Sequence, residues 1–311
     1  MKRFLYGLAL SVCVCAPPAL AQQDFSGVQM KATPVSGQIY MLEGAGGNIG
    51  VSVGPDGILI VDDQFAPLAD KIRAALKQLG EGKLKFVLNT HYHGDHTGGN
   101  REFGKEAPII AHANVRKRLS TEQRIMGNAV PPSPKEALPV VTFDESLSVH
   151  FNGEEIRVIH FPHGHTDGDS VIFFTTSNVV HMGDHFFRER FPFIDIDSGG
   201  SIEGMTKNIG EVIRRVPAGV KIIPGHGALA TIDDLKAYQR MLTETTTIIR
   251  KQMQAGKTLE QIKAAGLPAE WATWGTGFIK PDRWIETVYH SLSKSDGKSA
   301  PPRTGASRIH H

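Results

Sequence analysis

Thr90-His91-Tyr92-His93-Gly94-Asp95-His96-Thr97-Gly98-Gly99-Asn100 places three imidazoles and a carboxylate within six residues, directly after the apolar run Leu84-Lys85-Phe86-Val87-Leu88. Imidazole nitrogen and carboxylate oxygen are the ligands that borderline metals such as Zn²⁺ prefer. A solvated polar turn is the ordinary reading of a glycine-containing loop. A chain with 14 His, however, would produce an H-x-H-x-D-H by accident only about once in a thousand times. Lys85 to Asn89 has the length and composition of a buried strand, so the cluster falls in the loop leaving its C-terminal end. Open α/β sheets place ligands at such ends.

Upstream of this loop, strand and turn signals alternate. Gln38 to Glu43, Gly47 to Val53 and Gly57 to Asp62 read as short strands, the last two joined at Gly54-Pro55-Asp56-Gly57. Leu68, Ile72, Ala75, Leu76 and Leu79 recur at helical spacing and stop at Gly80, predicting a helix over 68–79. Downstream, Ser146 to Phe151 and Glu155 to Phe161 form a hairpin pattern turning at Asn152-Gly153, and Ser170 to Thr175 pairs with Asn178 to His181. Helical patterns follow at Ile202 to Val216, Ile232 to Arg250, Leu259 to Ala265 and Arg283 to Leu292. Two mixed halves of this kind predict an α/β architecture with helices outside and two sheets inside.

Three later spots share the chemistry of the first. They are Phe161-Pro162-His163-Gly164-His165-Thr166-Asp167-Gly168-Asp169, His181-Met182-Gly183-Asp184-His185, and Pro224-Gly225-His226-Gly227 after Val220-Lys221-Ile222-Ile223. Each sets a His or Asp beside Gly at a strand end. Glycine lets the backbone turn sharply enough for a short side chain to point at a common centre. A lone His after a strand is more often a hydrogen-bonded loop residue, but four such spots make a shared metal site the better reading.

In these residues the chain resembles the metallo-β-lactamase-fold superfamily of metallohydrolases. The match covers His91 to His96, Gly164-His165-Thr166, Gly183-Asp184 and Pro224-Gly225-His226 in the family's order, and spans roughly 35–230. The resemblance implies an αββα sandwich with two Zn²⁺ at the sheet edges. His91, His93 and His165 would hold one metal, Asp95, His96 and His226 the other, with Asp184 bridging both. It also implies that Asp62 orients a ligand His from behind. The bridging Asp184 makes the set most similar to glyoxalase II and the lactonases. The lactonases, however, follow this Asp with a nearby Tyr where this chain has His185-Phe186-Phe187, and the basic C-terminal cluster with which glyoxalase II binds glutathione is not evident.

The address is written at the N-terminus. Lys2 and Arg3, an apolar stretch from Phe4 to Cys15 and the small-residue site Ala19-Leu20-Ala21 form a secretory signal pattern, predicting cleavage before Gln22 and a periplasmic protein. The expected division is thus a signal peptide over 1–21, a catalytic domain over 22–292 and a flexible tail over 293–311, with no membrane span after cleavage. Both cysteines, Cys13 and Cys15, lie in the signal segment, which excludes disulfides and thiolate ligands from the mature chain. Removing Lys2 and Arg3 from 34 basic residues leaves 32 against 32 acidic ones, a net charge of zero with no nucleic-acid footprint.

These readings predict a metal-dependent hydrolase acting on an ester, lactone, thioester or lactam of a small molecule. Two metals about 3.5–4 Å apart would hold a hydroxide, acidifying water towards a pKa of about 7, and Asp95 would orient that nucleophile and relay its proton. The rivals are a β-lactamase proper, a mononuclear iron persulfide dioxygenase, which would leave His96 and His226 without a role, and a non-catalytic metal-binding module. His163 and His185 read as polar loop residues beside the site, and His112, His150 and His160 as structural. Phe186, Phe187, Phe191, Phe193, Trp271, Trp274 and Trp284 could wall a pocket, although ordinary core is the expectation for most of them.

Overall fold

The computed structural model describes residues 24–295 and Gly297. The expected signal peptide and the remainder of the expected tail lie outside the described residues. A first sheet has seven strands in the order β1 (Lys31–Ser36), β2 (Ile39–Glu43), β3 (Ile49–Gly54), β4 (Gly57–Val61), β5 (Leu84–Leu88), β6 (Ile109–His112) and β9 (Val141–Phe143), with β7 (Gln123–Ile125) and β8 (Asn128–Val130) forming a separate hairpin. The second sheet orders β10 (Ser146–Phe151), β11 (Glu154–His160), β12 (Ser170–Phe174), β13 (Val179–His181) and β14 (Lys221–Ile223). Each sheet begins antiparallel and ends parallel, the change falling at β4–β5 in one and at β13–β14 in the other.

Strand alternation builds the layers. Leu59 and Val61 of β4 turn inward to meet Ile156, Val158 and Ile172 of the second sheet, while Ile58 and Ile60 turn outward onto Leu68, Ile72 and Leu76 of helix α1 (Ala69–Leu79). The outer face of the second sheet, with Val171, Val180 and Ile222, is covered by the helices that follow α2 (Gly94–Thr97), α3 (Asn100–Phe103) and α4 (Ala113–Leu119). These are α5 (Ile202–Arg215), α6 (Ile232–Gln254), α7 (Leu259–Ala265), α8 (Ala269–Ala272) and α9 (Pro281–Ser295). Thr231 and Asp234 make a reciprocal capping box at the start of α6, as do Thr258 and Gln261 at α7, so both helices start where free backbone N–H groups are satisfied. The result is the expected αββα sandwich with C-terminal helices.

The expected hairpin turns at Asn152 and Gly153, both with positive φ (51° and 79°), the backbone a two-residue antiparallel turn requires. Strands β1, β6 and β9 and helix α4 were not anticipated. β1 is an edge strand with little buried surface, while β6 is four residues buried throughout, so neither carries a period-2 signal. Helix α9 continues through Ser293, Lys294 and Ser295, the first residues of the expected tail.

His112, at the end of β6, and His160, at the end of β11, stack across the two sheets with ring centroids 3.7 Å apart. His112 donates from Nε2 to the Asp144 carbonyl and accepts the Asn114 N–H at Nδ1, which fits the neutral ring. His160 donates to the Asp169 carbonyl. Burial lowers both pKa values, and the mutual repulsion of the pair lowers that of His160 further. The unfolded chain therefore binds more protons than the folded one once pH falls below about 6.5, and stability rises with pH through that window. The urea midpoint should accordingly drop between pH 7.5 and 5.5, and drop less in His160→Gln. Equal drops in the two proteins would remove the pair from this role.

Candidate metal centre

Every predicted site residue leaves a strand end on the same rim of the sandwich. β4 delivers Asp62, β5 the loop 89–96, β11 the loop 161–169, β13 the turn 182–185 and β14 the loop 224–227. Asn48 ties the rim together, its N–H donating to the Gly225 carbonyl (2.8 Å) and its side chain to the carbonyls of Pro224 and Gly227 (2.9 and 2.8 Å).

The seven predicted ligands fall into two groups. His91, His93, His165 and Asp184 form one and Asp95, His96 and His226 the other, with the candidate ligand atoms of each within 4.8 Å of one another. Asp184 faces both. Its Oδ2 lies 3.4 Å from His165 Nε2 and 3.8 Å from His91 Nε2, and its Oδ1 lies 3.1 Å from His96 Nε2 and 3.4 Å from His226 Nε2. Asp95 Oδ2 closes the second group at 3.2 Å from His226 Nε2.

Each inner imidazole is held from behind. Asp62, at φ +66°, receives the Thr90 N–H, the Thr90 hydroxyl and His96 Nδ1 at 2.7–2.8 Å. With its proton donated to Asp62, the Thr90 oxygen is free to accept from His91 Nδ1 at 3.0 Å. His165 Nδ1 donates to the Phe193 carbonyl (2.7 Å) and His93 Nε2 to the Asp195 carboxylate (3.0 Å). These outer partners assign the tautomers and turn the remaining lone pairs inward. His93 Nδ1 and His165 Nε2 consequently face each other at 2.7 Å, and His91 Nε2 and Asp184 Oδ1 are buried without a hydrogen bond. Converging lone pairs and orphaned buried acceptors are costly unless a cation satisfies them, so the residues fit divalent metals.

The electrostatics agree. Burial drives His91 well below its ordinary range, and the neighbouring His96 adds to this, leaving it a neutral ligand. Burial would raise Asp184 and Asp95, but the surrounding imidazoles outweigh it, holding Asp184 well below the carboxylate range and Asp95 at about 2. Burial would lower His226, yet Asp184 and Asp95 push it up to about 9. Without metal, the second group thus keeps protons where a cation would otherwise sit.

The remaining histidines stay outside both groups. His163 is exposed, with Nδ1 3.2 Å from the Gly199 carbonyl. His185 is buried, accepts from Asn208 at 3.1 Å and is held neutral by burial, its pKa lowered to about 3. His150 is exposed on β10. Of the aromatics, Phe187, Phe191 and Phe193 line a cleft of about 540 Å³ over Asp95, Asp184 and His226, while Phe186, Trp271 and Trp284 are core, with Trp274 packed against them. Asp195, which binds both His93 and the Tyr92 hydroxyl (2.7 Å), was not foreseen. It follows the irregular run Phe191-Pro192-Phe193-Ile194, which has no strand or helix period to point at it.

A model of the metallo-beta-lactamase superfamily matches residues 33–236, a span that contains all seven residues. The hydroxyacylglutathione hydrolase of Rhodospirillum rubrum is 30% identical over 164 residues, covering 51% of this chain and 54% of that protein. The chain spans about half the length of the curated relatives it matches. Among solved structures, the DIM-1 metallo-beta-lactamase superposes with a TM-score of 0.57 at 19% identity, over 70% of this chain and 99% of that one. A double mutant of the sec-alkyl sulfatase PisA1 superposes with a TM-score of 0.63 at 15% identity, over 88% of this chain and 52% of that one. At such identities the likeness is one of fold.

Two substitutions that touch no candidate ligand test the fit. A Cβ on Gly47 would run into the His96 ring, and Asp195→Asn removes the charge that orients His93. Each should weaken zinc binding by roughly 10- to 100-fold, Gly47→Ala at the second group and Asp195→Asn at the first. Titration against a competing chelator, with melting followed in parallel, is the measurement. Wild-type affinities in both variants would refute the assignment.

Proposed function

The chain belongs to the metallo-beta-lactamase superfamily, and from that premise we propose that it is a dinuclear zinc hydrolase opening an ester, lactone, thioester or lactam bond of a small molecule. The observation that carries the reading is Asp184, whose two carboxylate oxygens face separate groups of imidazoles. One carboxylate shared between adjacent sites supports two metals, with His91, His93 and His165 holding one, Asp95, His96 and His226 the other, and Asp184 both. A mononuclear iron oxygenase would leave the second group idle. Zinc bound there would supply Lewis acidity toward a carbonyl oxygen and water acidified towards a pKa of about 7.

The protein's own part is orientation and proton handling. Asp95 lines the cleft beside His226 and, held at about 2, is ionised at neutral pH. It can accept a hydrogen bond from the attacking water and aim its lone pair. So acidic a carboxylate relays a proton to the leaving group and does not retain it. His93, fixed by Asp195, and His165, fixed by the Phe193 carbonyl, keep the opposite wall rigid. We also propose that the protein is exported to the periplasm, in which case N-terminal sequencing of the exported form should start at Gln22.

Purified, zinc-supplemented protein should contain two equivalents of metal, and one equivalent or less would overturn the dinuclear reading. Asp95→Asn should melt near the wild-type temperature while losing about 10²–10⁴-fold in turnover in a panel of lactone, thioester and β-lactam substrates. Wild-type rates in this variant with both metals retained would reduce Asp95 to a structural ligand. No turnover of any class by the wild type would end the hydrolase reading.

A further inference from the structure

The wall of the cleft is chemically one-sided. Phe65, Met126, Phe187, Phe193, Phe278 and Ile279 give it an apolar lining, and outside the histidines of the metal centre its one basic side chain among the described residues is Arg190. The neighbouring Arg188 is engaged, donating to the Leu229 carbonyl (2.6 Å) and pairing with Asp234 (3.3 Å). Arg190, by contrast, makes no hydrogen bond or ion pair among the described residues. Its stem lies along Gly277, where a Cβ would come within 3.3 Å of the Arg190 Cβ and Cδ. A side chain at Gly277 would therefore crowd the arginine stem. At the rim, Phe278 is 76% exposed while Ile279 beside it is buried. An exposed aromatic edging an apolar cleft is surface that a ligand can cover.

We propose that the substrate is an amphiphile, an acyl compound whose apolar body packs along this wall and covers Phe278, and whose single terminal oxyanion pairs with the Arg190 guanidinium. This rests on the hydrolase reading above and narrows its substrate class. A guanidinium forms charge-assisted, bidentate bonds with an oxyanion, and the apolar wall rewards a body with few polar groups of its own. A glutathione thioester suits this cleft poorly. Its tripeptide carries two carboxylates, an ammonium and two amides, and one arginine on an aromatic wall would leave most of them unpaired. An amphiphilic substrate of this kind would separate the chain from the hydroxyacylglutathione hydrolases to which it is similar.

The test uses the zinc-loaded protein and two matched esters, p-nitrophenyl octanoate and its ω-carboxylate counterpart, p-nitrophenyl hydrogen suberate. Wild type should prefer the anionic ester in kcat/KM by about 10- to 100-fold, the worth of a charge-assisted hydrogen bond. Arg190→Gln should erase that preference through KM for the anionic ester, Arg190→Lys should keep part of it, and Phe278→Ser should raise KM for both. A binding arm needs no turnover. Anilinonaphthalene sulfonate, an apolar anion, should bind at least about tenfold more weakly to Arg190→Gln, while neutral N-phenylnaphthylamine binds as before. Unchanged sulfonate affinity and ester preference in Arg190→Gln would overturn the proposal, as would faster turnover of a glutathione thioester than of the anionic ester. If neither ester is cleaved but sulfonate binding follows Arg190 and Phe278, the recognition chemistry stands and the hydrolase reading fails.

Discussion

The carboxylate of Asp184 is the constraint around which the rim of this sandwich is arranged. It is 5% exposed and surrounded by four imidazoles from three other loops, and an isolated ion at such depth would cost several kcal/mol. Compensation therefore has to come from every side at once. The loops supply it through a second ring of partners, Asp62 behind His96, Thr90 behind His91, Asp195 behind His93 and the Phe193 carbonyl behind His165. Gly47 and Gly225 belong to the same requirement, because a Cβ on either would occupy the space of the His96 ring or of the Asp184 carboxylate. The positive φ of Asp62 has the same origin, since that backbone brings its carboxylate within reach of three donors.

Much of this was legible because its signals are local. The H-x-H-x-D-H segment, the Asn152-Gly153 turn and the run of His or Asp beside Gly at successive strand ends each state their geometry within a few residues, and the fold brings all seven candidate residues together in two adjoining groups. What stayed hidden depends on neighbours distant in sequence. Strand β6 is buried on both faces and so short that periodicity cannot distinguish it from any apolar tetrapeptide. Asp195 acquires its role only when its loop folds back onto His93, 102 residues away in sequence. The cleft wall is assembled from Phe65, Met126, Phe187 and Phe278, which no single segment contains.

Ligands and lining thus divide the labour of the site. The ligand residues come from strand ends fixed by the sandwich, and they set which bond chemistry is available. The lining comes from the β7–β8 hairpin and from the segments around Arg190 and Phe278, outside the two sheets. Such segments can vary without disturbing the sheets, so a shared fold says little about which molecule enters the cleft.

The distribution of ligands along the chain has a consequence for the order of assembly. His91, His93, Asp95 and His96 leave the first sheet, whereas His165, Asp184 and His226 leave the second. Neither sheet alone carries a complete coordination sphere, so tight metal capture has to wait until the two layers have docked. Closing the site joins residues more than a hundred positions apart, a long loop closure of the kind that slows folding. Metal bound there would act as a rivet between the layers, stabilising only the docked state and retarding the separation through which unfolding must pass. Chelation would therefore shorten the lifetime of the native protein as well as silence its chemistry.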